Sequence, residues 1–158
     1  MKAIHWIIAA AALAFVLPAK AKAGVNDPEV ILYRVPGVTD DGSAPDNFGV
    51  ATVFHCTSFS GVSEILRVVI RDTGTTLRSN VNIVMPHLST GTLATHKTAL
   101  FDNELTLITG IIKQGTAAIA ATSTSIVCTA MIVDAASTTP VGIALRMIRF
   151  NPAPGSQE

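Results

Sequence analysis

The stretch that decides the fold is LRVVIRDTGTTLRSNVNIVM, residues 66–85. Leu66, Val68 and Ile70 alternate with Arg67, Val69 and Arg71. That period of two marks a half-buried strand whose outer face carries arginine. Leu77, Val81, Ile83 and Met85 alternate in the same way with Arg78, Asn80 and Asn82. Between the two runs, Asp72-Thr73-Gly74-Thr75 has the chemistry of a tight turn, with Gly74 expected to supply the positive φ. The segment reads as an antiparallel hairpin.

The same parity holds on either side. Val50, Thr52, Phe54 and Cys56 share one face of a strand at about 49–57, and Ile126, Cys128, Ala130 and Ile132 share one face at about 125–133. Each cysteine sides with the apolar set, so both point inward. Further strands are expected near Glu29–Val35, Thr92–Thr98, Thr106–Gln114, Thr116–Thr122 and Gly142–Phe150, punctuated by Pro and Gly. No segment after residue 24 carries a helical stripe of useful length. Seven to nine short strands with regular turn signals predict an all-β, antiparallel sandwich over residues 24–150. Residues 151–158, with two prolines and a glycine, read as a disordered tail.

The first residues read as a secretory leader. Lys2 supplies the positive start, Ile4–Leu17 an apolar run ended by Pro18, and Ala19–Ala23 two overlapping A-x-A frames. Cleavage after Ala21 or Ala23, with Ala23 preferred, gives a signal peptide at 1–23. This run of fourteen residues, broken only by His5, falls short of the roughly 20 that a membrane-spanning helix needs. The expected destination is therefore periplasm, cell surface or medium. Removing the leader takes Lys2, Lys20, Lys22 and the only tryptophan, Trp6, leaving eight basic against 11 acidic residues. That balance offers no electrostatic footprint for nucleic acid.

In an exported chain, Cys56 and Cys128 are most simply a disulfide. Such a bridge closes a loop of about 73 residues and is worth roughly 4 kcal/mol in the chain-entropy model. Two inward cysteines on distant strands suggest a bridge across the core, between facing sheets.

The succession VATVFHCTSFSGVSEILRVVIRDTGTTLRSNVNIVMPHLSTGTLATH, followed by QGTAAIAATSTSIVCTAMIVDA, resembles an immunoglobulin-like module of bacterial secreted proteins over residues 48–134. The resemblance lies in strand spacing and turn chemistry. It implies an inter-sheet Cys56–Cys128 bridge, although Ile126 stands where antibody-type domains place a tyrosine and no tryptophan is left to pack on the bridge.

Chemistry-bearing residues are few. His87 and His96 flank the Ser89-Thr90-Gly91 turn and are able to approach across a hairpin. A metal site needs three or four ligands, so solvated turn histidines are the simpler expectation. Asp40, Asp41 and Asp46 fall in one Gly- and Pro-containing loop, a weak calcium candidate whose order matches no EF-hand. No histidine follows Cys128, which removes a type-1 copper site. Neither G-x-S-x-G nor H-E-x-x-H is present, and no cofactor motif is found. Exposed tryptophan for sugar stacking is lacking.

These absences favour a non-enzymatic exported module with a structural, adhesive or assembly role, its partners being other proteins or its own copies met through a sheet edge. The uncharged stretch Ala117–Ser125 is either that edge or a buried central strand. A glycan- or calcium-binding module is the alternative, and a secreted enzyme with an unrecognised site comes third.

Overall fold

The computed structural model describes residues 24–42 and 47–150. The expected leader, Asp46 and the expected tail lie outside the described residues. Among the described residues ten strands form: β1 (Val30–Asp40), β2 (Val50–Ser58), β3 (Glu64–Asp72), β4 (Leu77–Met85), β5 (Thr90–Ala94), β6 (Glu104–Thr106), β7 (Ile112–Ala121), β8 (Ile126–Asp134), β9 (Gly142–Ala144) and β10 (Ile148–Arg149). They build two five-stranded sheets, ordered β10-β1-β7-β3-β4 and β6-β5-β2-β8-β9. All pairings are antiparallel except β5 with β6. The all-β sandwich reading holds, with ten strands rather than seven to nine. No described helix is long and apolar enough to cross a membrane.

The period-two residues explain which faces meet. Leu66, Val68 and Ile70 of β3 and Ile119 and Ala121 of β7 face Phe54 and Cys56 of β2 and Ile126 and Cys128 of β8 in one buried cluster. Phe54, Leu66 and Ile70 are fully buried, each worth roughly 1.5–3 kcal/mol of apolar transfer. The opposite parity of β2 and β8 feeds a second, smaller cluster of Ala51, Val53, Ala94, Val133 and Ala135. It is roofed by Leu100 and Phe101 from the 95–103 connection, whose Ala99 amide donates to the Ala135 carbonyl at 2.8 Å. A parallel β5–β6 pair needs such a crossover, and here the crossover doubles as a lid on the outer face.

The hairpin at 66–85 is confirmed as β3–β4, in register from Glu64↔Met85 to Ile70↔Ser79, with a shift before Arg71↔Leu77. Its turn differs from expectation: the positive φ of 64° belongs to Thr75, not Gly74. Asp72 explains this. Its Oδ1 accepts the amides of Gly74 and Thr76, each at 3.0 Å, which rotates the chain at the intervening threonine.

Residues 106–122 also depart from expectation. Instead of two strands parted at Gly115, one ten-residue strand, β7, runs through that glycine, and residues 107–111 form no strand. A Cβ at Gly115 would lie 2.7 Å from the Arg71 carbonyl oxygen and 2.8 Å from Ile112 Cγ2. Here glycine allows a close backbone approach rather than a turn. The edge reading of Ala117–Ser125 is overturned with it, because β7 sits centrally between β1 and β3, and β8 between β2 and β9. The alanines suit that place. Ala118 and Ala120 point away from the core yet are only 9% and 8% exposed. Arg34 of β1 stands beside Ala118 and Arg67 of β3 beside Ala120 in register.

Candidate functional site

Cys56 and Cys128 are bonded, as expected, but not across the core. They are register partners on the adjacent strands β2 and β8, with Cα atoms 4.1 Å apart. Inward parity is satisfied equally by two facing strands or by two neighbours in one sheet. The long-range pairing of β2 with β8 decides for neighbours, so the expected inter-sheet bridge is corrected to an in-sheet one. A buried disulfide of this kind points to an oxidising, non-cytoplasmic environment.

Asp40 and His96 come together where no local pattern places them. Asp40 ends β1 and is fully buried, while His96 follows β5 and is 1% exposed. His96 Nδ1 lies 2.8 Å from Asp40 Oδ1, and Nε2 lies 2.8 Å from the carbonyl oxygen of Phe48. The Thr109 hydroxyl donates to Asp40 Oδ2 at 2.9 Å, and the Gly42 amide to Oδ1 at 3.1 Å. Gly42 packs so tightly that a Cβ would sit 2.6 Å from the ring. Expected as a solvated turn residue, His96 is instead a buried clamp joining β1, the loop after it and the β5–β6 crossover. Both ring nitrogens are occupied, so this imidazole has no atom free for a metal or a substrate.

His87 does not approach His96. Strand β5 separates them, and His87 Nδ1 accepts the Gly61 amide at 3.0 Å. Asp41 uses Oδ1 to accept the Val50 amide. The carboxylates of Asp40 and Asp41 thus serve backbone and side-chain donors, and Asp46 lies outside the described residues. Among the described residues no group of three or more metal-ligating side chains converges.

One cleft was not foreseen. A depression of about 320 Å³ opens at one end of the β1–β7–β3 sheet, among Gly37, Arg71, Thr73, Thr75, Gln114 and Thr116. Three irregularities meet there. Strand β1 shifts register between Pro36 and Val38, β3 shifts between Ile70 and Arg71, and β-branched Thr75 holds a left-handed φ. Bulges and such outliers re-aim side chains at the cost of regular pairing. Asp72 at the cleft wall is held below its ordinary carboxylate range. Partial desolvation acts to raise it, but hydrogen bonds from Arg78, Thr76 and Gly74 and the Arg78 charge outweigh that. Arg78 Nε reaches Asp72 Oδ2 at 2.8 Å and Nη2 reaches it at 2.7 Å.

The sheet edges are unequal. Strands β10, β6 and β9 span two or three residues each, but β4 is a nine-residue strand at the end of its sheet, paired among the described residues only with β3. Leu77 and Val84 near its two ends are 48% and 60% exposed.

Comparison with protein-family models, with curated proteins and with solved structures finds no match for this chain.

Proposed function

We propose that the chain is an exported, non-enzymatic, immunoglobulin-like module that works through protein contacts, its β4 edge pairing with the β4 edge of a second copy. The observation that carries this reading is the length and openness of β4. Natural sheets blunt their edges with prolines, lysines, bulges or very short strands. Three of the four terminal strands are short, with β10 pairing only Tyr33 and Arg34 of β1, whereas β4 runs for nine residues with no proline, no lysine and a single charge, Arg78. Its outward N–H and C=O groups form a template for strand addition. Antiparallel pairing of β4 with itself across a two-fold axis is self-complementary and closes at a dimer. The two-sheet antiparallel architecture supports the immunoglobulin-like assignment, and the apolar leader together with the disulfide supports export.

Light scattering on the size-exclusion eluate, over a concentration series, tests the proposal. The expected result is a monomer–dimer equilibrium that Asn80→Lys together with Val84→Lys shifts to monomer, because like charges then oppose one another across the axis. Both side chains are exposed, so the substitutions leave the core intact. A monomer at every concentration for the unsubstituted protein removes self-pairing.

A further inference from the structure

The cleft beside the β3–β4 turn carries a charge that the fold does not use. Asp72 is satisfied on both oxygens, Oδ1 by two backbone amides and Oδ2 by Arg78. Arg71, next to it, is exposed and, among the described residues, donates only Nη1, at 2.8 Å, to the Thr75 carbonyl. Among the described residues no carboxylate pairs with it, unlike Arg67 with Glu29 and Arg78 with Asp72. The Thr75 carbonyl that orients this guanidinium belongs to the residue with the strained φ of 64°. The hydrogen bond to that carbonyl orients an arginine which, among the described residues, has no ion-pair partner. Around it, the hydroxyls of Thr73, Thr75 and Thr116 and the amide of Gln114 line the cleft, none bonded within the described residues. Gly37, with φ of 82°, also lines the cleft.

We propose that this cleft is a binding site for a small hydroxylated carboxylate, the sugar-acid class, with Arg71 as its anion anchor. A planar guanidinium matches a carboxylate in two-point geometry. One uncompensated positive charge suits a monoanion better than a phosphate dianion. Three hydroxyls and one amide provide donors and acceptors for the hydroxyls of a polyol, and no aromatic platform is required. A volume of about 320 Å³ sits at the small end of ligand clefts, the size of one sugar unit rather than a chain. The site is separate from the outward edge of β4 and does not depend on self-pairing.

Calorimetry with D-glucuronate, D-glucose and acetate tests it, combined with amide chemical-shift mapping. Glucuronate is expected to bind with a Kd in the millimolar range and to shift the amides of residues 71–76 and 114–116. Arg71→Gln should weaken binding by about tenfold, as expected for loss of a charge-assisted two-point contact. Gln114→Ala should weaken it severalfold, and Arg34→Gln should leave it unchanged. Acetate binding as tightly as glucuronate would reduce the cleft to an adventitious anion contact and overturn the sugar-acid assignment. Equal affinity for glucose would remove the role of Arg71. No binding, or shifts confined to another surface, would remove the site altogether. If Arg71→Gln fails to fold, the Gln114→Ala titration and the shift map of the unsubstituted protein decide alone.

Discussion

His96 is held at both ring nitrogens by acceptors from different segments, and Asp40 has lost all contact with water. Removing His96 leaves the buried Asp40 carboxylate, among the described residues, with only the Thr109 hydroxyl and the Gly42 amide as donors, and breaking a buried pair costs about 3–5 kcal/mol. His96→Ala is therefore expected to lower the urea-unfolding free energy by at least about 3 kcal/mol, and a loss under about 1 kcal/mol would contradict the clamp. His55 behaves differently. Half-buried against Phe101 at 4.7 Å, its imidazole is pushed below the ordinary value by desolvation. The unfolded chain then takes up the proton first as pH falls. Stability from this residue is complete above the unfolded value near 6.5 and declines as pH drops from there toward the folded value. Urea midpoints measured from pH 7.5 to 5.5 should fall, and His55→Phe should flatten that slope. An unchanged slope would place the acid sensitivity elsewhere. None of this was legible locally. His96 has the sequence neighbourhood of a turn residue, and only the crossover that follows β5 turns it inward.

At the scale of elements, β7 shows how one glycine carries two opposite readings. Gly115 looks like a break between short strands, yet it lets β7 lie close against β3. Gly115→Ala is expected to destabilise by about 1–3 kcal/mol through overpacking against the Arg71 carbonyl. Thermal unfolding followed by circular dichroism checks it, and an unchanged midpoint would show that the strand tolerates a Cβ. The β3–β4 hairpin was readable because alternation and turn chemistry are local. The central position of β7 was not, since a run of small, uncharged residues suits a covered strand as well as an open one. What flanks it on either side are β1 and β3, whose register partners Arg34 and Arg67 lie about 50 to 85 residues away along the chain.

For the whole molecule, the disulfide closes 72 residues of chain inside one sheet rather than tying two sheets together. Its stabilisation then acts chiefly by restricting the unfolded chain, while the sheets stay docked through the apolar core. Cys56→Ala with Cys128→Ala should retain the strand signal in far-ultraviolet circular dichroism and lose about 2–4 kcal/mol in urea unfolding. Complete loss of structure would show that the bridge organises the native fold itself. The sequence by itself determined that the chain is all-β, where its main hairpin lies, and which parity of β2, β3 and β8 faces inward. Those properties follow from backbone geometry, where side chains alternate every residue whatever their distant partners are. Only the tertiary structure decided that Cys128 lies beside Cys56 and that Asp40 meets His96. It alone gathered Gly37, Arg71, Thr75 and Gln114 around one cleft and left β4 as the long open edge. Strand order is set by pairing between segments tens of residues apart, and an alternating pattern records a face without recording a neighbour.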